Sequence, residues 1–359
     1  MHLFTLVNPG LELLAQQEIK ELVKAKATIN GSALEFSVKN KKDVVLLAQQ
    51  AQSFRRLLIL LGRFDSPDSL AVEELAIPWT DYFPPQFSFK VEVQNVSGQE
   101  NRFELAKMTA GKLFSTLEKQ GLKPTLEVKK PQYIVVVYFT GSEYLLGLDC
   151  CGKDFDGRDY RVFPHQATFK GDLAYYFLRS SGYTPGEKLL IGFVRDGGLA
   201  IEAALYANKI SLRSQNLILS TFPNFASLSP ALLSQEEFKQ SISAFDINPT
   251  NLIAAKKNAK LAKVSKFIDF HKLTLDELDV RFSPEQFDRI IFHLTKKDED
   301  KINEMYYQAN YVLKKGGFLF IIARSGLELA APEGYVLKLQ QDIKRGESSY
   351  RLWLMGKKN

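Results

Sequence analysis

The stretch Lys188-Leu189-Leu190-Ile191-Gly192-Phe193-Val194-Arg195-Asp196-Gly197-Gly198 opens the part of the chain that decides the fold. Lys188–Val194 reads as a strand, and a helix is predicted over Gly198–Asn208. The alternation continues on both sides. Strands are predicted at Leu217–Ser220, Ser241–Ile247, Lys266–Phe270, Asp288–His293, Gly317–Ala323 and Tyr350–Met355. Helices are predicted at Phe169–Ser180, Pro249–Ala262 and Asp298–Leu313. This order predicts an α/β fold with a doubly wound, mostly parallel sheet over residues 161–359. No internal repeat or low-complexity tract interrupts it.

Two smaller blocks precede it. In residues 1–65, Leu3–Val7 reads as a strand, and Asn8-Pro9-Gly10 ends it. A helix over Glu12–Val23 follows, with Leu13, Leu14, Ile19, Leu22 and Val23 at helical spacing. Ala33–Val38 alternates as a strand, Lys42–Gln50 is a second helix, and Phe54–Leu61 is an apolar run. In residues 66–160, Pro67, Pro78, Pro84 and Pro85 mark a loop-rich entry. Strands are predicted at Phe87–Val93, Leu126–Val128, Tyr133–Phe139 and Tyr144–Leu148, with a helix at Asn101–Gln120. Lys129-Lys130-Pro131 falls on a loop between two of these strands.

Composition narrows the function. The chain has 359 residues, 45% apolar and 25% charged, as an ordinary soluble protein does. Its 47 Lys and Arg against 41 Asp and Glu leave a net charge of +6, which permits a nucleic-acid partner without demanding one. That excess is local: residues 1–65 hold nine basic and six acidic side chains, whereas residues 81–161 hold eleven of each. The apolar runs Leu57–Leu61 and Ile134–Tyr138 are far short of the roughly 20 residues that span a bilayer, so no membrane partner is expected. Met1-His2-Leu3-Phe4 lacks the pattern of a secretion signal. Two adjacent cysteines, Cys150 and Cys151, form neither a disulfide framework nor a zinc site, and only four histidines are present. A cytoplasmic protein without a metal centre is expected.

The order of short motifs then points to a family. Phe4-Thr5-Leu6-Val7-Asn8-Pro9-Gly10-Leu11-Glu12, with Glu18 after it, resembles the start of the THUMP-containing RNA methyltransferases, which modify tRNA or large-subunit rRNA (the guanine-N2 type). The resemblance continues through Phe87–Val91, Lys129-Lys130-Pro131, Tyr144–Asp149 and Arg158-Asp159-Tyr160-Arg161. Phe169–Ala174 and Ile201–Ala204 look like the helices flanking the methyl-donor site. The resemblance implies a ferredoxin-like N-terminal domain (residues 1–65), a THUMP RNA-binding domain (66–160) and a Rossmann-like methyltransferase-type domain (161–359). It also implies S-adenosylmethionine as cofactor and RNA, foremost tRNA, as partner. Lys129, Lys130, Arg158 and Arg161 are the expected phosphate contacts.

The site motifs depart from that family. Its first strand ends in an acid and a Gly-rich turn that lets the donor's methionine part approach the backbone. Here Ile191 holds the acidic position, Arg195 replaces the first turn glycine, and only Gly197 keeps its place. Asp246, in Phe245-Asp246-Ile247-Asn248-Pro249, matches the acid that holds the ribose; read by itself, it equally suits a turn or cap ahead of the Pro249 helix. The adenine-side acid is replaced by Thr274, with Asp276 two places later. The Asn-Pro-Pro-Tyr loop that orients an amine and stacks on the base is absent. His293-Leu294-Thr295-Lys296 stands in its place, so His293 and Thr295 occupy the motif position. Were the donor bound, Asp246, Gly197 and Lys170 would be its contacts.

The expected function is thus an RNA-binding protein whose methyltransferase-type domain has lost methyl transfer. The alternatives are an active S-adenosylmethionine-dependent tRNA or rRNA methyltransferase with a divergent site, and a non-catalytic subunit paired with another methyltransferase. The basic tail from Tyr335, with six basic and two acidic residues, is expected against RNA or in solvent.

Overall fold

The computed structural model describes residues 1–212, 217–228, 242–295, 297–345 and 348–358. These form two compact units, Met1–Phe155 with Arg213–Ser234, and Asp156–Leu212 with Gln235–Asn359.

The first unit is built on one eight-stranded sheet. Its strands are β1 (His2–Val7), β2 (Thr28–Asn30), β3 (Ala33–Ser37), β4 (Phe54–Phe64), β5 (Gln86–Gln94), β6 (Lys123–Leu126), β7 (Tyr133–Phe139) and β8 (Tyr144–Asp149), in the order β2-β3-β1-β4-β8-β7-β5-β6. Its helices are α1 (Glu12–Val23), α2 (Lys41–Gln50) and α3 (Gln99–Lys119). The first 64 residues make a βαββαβ unit with β1 between β3 and β4, the ferredoxin-like arrangement. Glu18 explains part of the opening motif. It is buried in α1, and its carboxylate accepts from the Gln52 and Ser53 amides at 2.8 and 3.0 Å, which ties α1 to the entry of β4. β4 pairs antiparallel with β1 on one side and β8 on the other, so the two blocks expected as separate domains share one sheet.

The segment expected as a strand at Leu217–Ser220 is a 3-10 turn, Ile218–Thr221, within this first unit. The Ser220 and Thr221 hydroxyls donate to the Leu217 and Ile218 carbonyls at 2.8 and 2.7 Å, and such local bonds compete with a strand ladder. Phe222 then packs on the Tyr133 ring at 5.7 Å.

The second unit carries β9 (Leu189–Gly192), β10 (Ile242–Asp246), β11 (Ile268–Lys272), β12 (Phe287–Leu294), β13 (Leu313–Arg324), β14 (Tyr335–Arg345) and β15 (Ser348–Lys357). Its helices are α4 (Gly171–Ser180), α5 (Gly198–Ala207), α6 (Pro249–Leu261), α7 (Leu278–Arg281) and α8 (Glu299–Val312). The sheet order is β11-β10-β9-β12-β13-β15-β14; β9 to β13 are parallel and β15 runs antiparallel to both neighbours. Parallel strands buried on both faces read as apolar runs, which is why Leu189-Leu190-Ile191 and Ile290-Ile291-Phe292 look as they do. The basic segment from Tyr335 is no free tail: its described residues form the β14–β15 hairpin that completes the sheet. From β9 the chain winds first toward β10 and β11, then returns to β12 on the other side of β9. The switch point lies between β9 and β12, and ligands of such sheets bind at the strand ends there. Among the described residues no helix is long and apolar enough to cross a membrane, and no group of three His, Cys, Asp or Glu could hold a metal ion.

Candidate functional site

The turn after β9 keeps the backbone of a glycine-rich loop without its glycines. Phe193, Arg195 and Gly197 all lie in the left-handed region, at φ 57°, 51° and 85°. For the two non-glycine residues that conformation costs roughly 1–2 kcal/mol each. It persists because the side chains are fixed from several sides. The Phe193 ring sits 5.9 and 5.7 Å from those of Phe245 and Phe292, and the Lys301 ammonium lies over it at 4.5 Å. Gly197 is demanded by packing as well as by φ: a Cβ there would meet the Ala255 Cβ at 3.0 Å, so it lets α5 approach α6 closely.

Arg195 does not reach into solvent. Its guanidinium crosses from the end of β9 to the end of β12. There it bonds the His293 Nδ1, and it donates to the His293 carbonyl at 3.2 Å and the Ala167 carbonyl at 3.1 Å. It is 8% exposed. Burial pulls its pKa below the usual arginine value, against the pull of Asp246 and Asp196. His293 is the acceptor in this contact, so Nδ1 carries no proton. Burial, and then the Arg195 charge, holds His293 well below the ordinary histidine value. The Phe169 ring covers it at 4.3 Å. Its basic lone pair is committed to Arg195, which removes the means by which a histidine takes a proton from a substrate. What remains of the crevice, between Phe169, Ile191, Phe193, Arg195, Leu199 and His293, is a cavity of about 20 Å³. That holds about one water molecule.

Asp246 faces this turn. Its carboxylate accepts from the Arg195 amide (3.0 Å), the Asn251 side chain (3.1 Å) and the Asn248 amide (2.9 Å). The cap of α6 is Asn248, which accepts from the Thr250 amide at 2.9 Å, with Pro249 in the first turn. Thr274 caps the turn Leu275–Glu277 in a reciprocal box with Glu277. Thr295 is exposed beyond β12, and Lys296 lies outside the described residues.

A strap over residues 161–168, of which sequence reasoning singled out only Arg161, and that as a phosphate contact, closes the site from the other side. Asp196 is its anchor. It accepts from Arg161 Nε (3.2 Å), the His165 amide (3.2 Å), the Thr168 hydroxyl (2.8 Å) and the Gly198 amide (3.2 Å). Asn258, fully buried in α6, donates to the Asp196 and Phe163 carbonyls at 2.9 and 3.0 Å and accepts from the Phe163 amide at 3.1 Å. An asparagine at an inward helix position, where apolar residues stand on either side, was the available signal.

The expected phosphate contacts separate. Arg158 is internal: it donates to Glu202 at 2.8 and 3.1 Å, and the Tyr160 hydroxyl donates to the same carboxylate at 2.7 Å. Gly171 makes room for it, since a Cβ there would meet Arg158 Nε at 2.2 Å. Burial works against the charge of Arg158, and Glu202 overcomes it, so its pKa is raised. It is a core cation, not a surface one. Arg161 is engaged by Asp196. Lys170, at the start of α4, pairs with Asp156 at 2.9 Å. Lys129 and Lys130 are exposed in the first unit, on a turn held by Glu127, which accepts both their amides. Cys150 and Cys151 are buried free thiols.

Residues 158–316 match the family model described as UPF0020, RMKL-like, methyltransferase domain. Two curated relatives are both ribosomal RNA large subunit methyltransferase K/L. That of Photobacterium profundum is 24% identical over 79% of this chain and 41% of its own length. That of Shewanella frigidimarina is 24% identical over 94% and 50%. The chain thus spans about half the length of the curated relatives it matches. Among solved structures, TrmN from Thermus thermophilus is 20% identical with a TM-score of 0.72, covering 99% of each chain. SMU.472, solved in complex with SAH, is 17% identical with a TM-score of 0.76, covering 98% of this chain and 97% of its own. At these identities the likeness is one of fold. Residues 158–316 therefore form a methyltransferase-type domain of the UPF0020, RMKL-like family.

Proposed function

We propose that this chain binds RNA, with tRNA the first candidate and rRNA the second, and that its methyltransferase-type domain does not transfer methyl groups. The observation that carries this reading is the Arg195 guanidinium lying across the switch point onto His293. The residues present do not fit S-adenosylmethionine. Beside Arg195, between Phe169, Ile191 and His293, the space left is about 20 Å³, room for about one water and none for the end of a donor molecule. The buried guanidinium also disfavours a second positive charge, such as a sulfonium, beside this turn. The carboxylate of Asp246, the expected ribose partner, is engaged by Arg195, Asn248 and Asn251.

RNA binding is supported by the likeness to RNA methyltransferases of large-subunit ribosomal RNA and to TrmN. It is supported too by the order of THUMP-like motifs in the first unit, which we read as the RNA-gripping part, acting in the cytoplasm. The active-enzyme reading draws on the retained left-handed turn at Arg195 and Gly197, and it requires Arg195 to swing out. One assay separates the two: filter binding of unmodified tRNA and rRNA fragments, with transfer of labelled methyl groups measured in the same samples. Binding without label fits the proposal. Turnover of label above background refutes it, and failure to retain either RNA refutes the RNA-binding half.

A further inference from the structure

The phosphate contacts expected in the second unit, Arg158 and Arg161, are bound internally to Glu202 and Asp196. Its surface charge therefore has to come from elsewhere. From Ile247 to Ile268 the sequence has five lysines and no acidic residue. Solvated helices usually mix both signs and gain from i, i+4 pairs, which this stretch cannot make within itself. The structure puts most of the stretch on α6, whose apolar side, Leu252, Ala255 and Ala259, is buried. Lys256, Lys257 and Lys260 all lie on the opposite, exposed side, and none forms an ion pair among the described residues. Ile253, 55% exposed, lies one turn before Lys257 on the same side.

An aromatic ring stands beside these lysines. Phe163 is 39% exposed, and the Lys257 ammonium lies 4.7 Å from its ring centroid. The ring is not on a loose loop. Asn258 grips both the amide and the carbonyl of Phe163 and so holds its backbone beside α6. Unpaired cations that track a backbone, next to an exposed aromatic face on which a base can stack, are what single-stranded or looped nucleic acid needs. A membrane-surface helix needs a broad apolar face turned outward; here that face is turned into the core.

We propose that the outward side of α6, with Phe163 clamped beside it, is a docking surface for the phosphate backbone of RNA. Lys256, Lys257 and Lys260 neutralise phosphates, and Phe163 stacks on an unpaired base. This rests on the RNA-binding reading above and adds the second unit's own contact surface to it.

The test is tRNA binding by the full chain, measured across a salt series. Lys256→Gln/Lys260→Gln and Lys256→Glu/Lys260→Glu are compared with the unaltered protein, using unfractionated bacterial tRNA and, separately, phosphatidylserine vesicles. Each lysine lost should flatten the slope of log K against log salt by about 0.7–0.9. The Gln pair should weaken binding about tenfold at low salt, and the Glu pair more. Phe163→Ala should weaken it with the slope unchanged. Unaltered melting temperatures, expected because these lysines hold nothing in the core, show that the variants fold. If the unaltered chain binds tRNA and both lysine pairs bind it with the same affinity and slope, this inference is overturned and the RNA-binding reading stands. If the vesicles alone respond to the substitutions, the surface belongs to a membrane and the inference is likewise overturned. If the unaltered chain binds no tRNA, the RNA-binding reading fails together with it.

Discussion

Arg195 and His293, 98 residues apart in the chain, meet across the ends of β9 and β12, and the contact requires the histidine to be neutral. This gives a pH dependence of known sign. In the unfolded chain the imidazole titrates near its ordinary value of about 6.5. In the folded chain its pKa lies well below that. Below about pH 6.5 the unfolded state therefore binds a proton that the native state refuses. The associated stability is fully present above that value and is lost as the pH falls, at up to about 1.4 kcal/mol per unit. Urea unfolding at several pH values should show a shallower acid decline for His293→Gln than for the unaltered protein. Identical declines would contradict the contact.

The left-handed backbone at Arg195 predicts an order of stabilities. Arg195→Ala loses the hydrogen bonds to His293 and Ala167 and keeps the strained φ of 51°. Arg195→Gly loses the same bonds and relieves the strain. Glycine should be the more stable of the two by about 1 kcal/mol, against the usual preference for alanine. Thermal melting of both variants checks this; alanine above glycine would mean that the turn does not adopt this conformation.

Gly197→Ala places a methyl group 3.0 Å from the Ala255 Cβ and 3.1 Å from its Cα, at a φ of 85°. Both the backbone and the α5–α6 contact resist it. A loss of about 2 kcal/mol or more is expected by chemical denaturation. A neutral result would show that α5 can move away from α6.

Arg158 and Glu202 distinguish a core ion pair from a nucleic-acid contact. Arg158→Ala leaves the Glu202 carboxylate buried with its main cation gone, and should cost about 3–5 kcal/mol. At a temperature where the variant is folded, its RNA affinity should equal that of the unaltered chain. A phosphate contact would behave in reverse, with weaker RNA binding at unchanged stability.

The sheet of the second unit was legible because parallel strands covered on both faces must be apolar, and the turns between them carry Gly, Asn and Asp. The hairpin of β14 and β15 was only half legible. Its first strand lies at the sheet edge and interleaves Lys338, Gln340, Asp342 and Lys344 with apolar residues, so charge masked the pattern. The pairing of β4 with β8, which merges the first two blocks, joins residues at least 80 positions apart and leaves no local trace. At the site, the replaced glycine at Arg195 was visible in the sequence. Its destination was not, because His293 and the Ala167 carbonyl are brought to it by the sheet. Arg158 was misplaced for the same reason, since its partner Glu202 lies 44 residues away and nothing near Arg158 announces burial. Asp246 stood open between ribose ligand and helix cap, and the structure gives the cap to Asn248 while Asp246 braces the turn that holds Arg195.

Arg195 fills the crevice at the ends of β9 and β12, and under the proposed function no methyl donor enters it. Calorimetric titration of S-adenosylmethionine into the unaltered chain, with Arg195→Gly run in parallel, tests it most directly. The predicted result is no saturable heat for the unaltered chain at donor concentrations up to about the millimolar range, where even weak binding near −4 kcal/mol would register. Saturable binding at micromolar donor by the unaltered protein would contradict it.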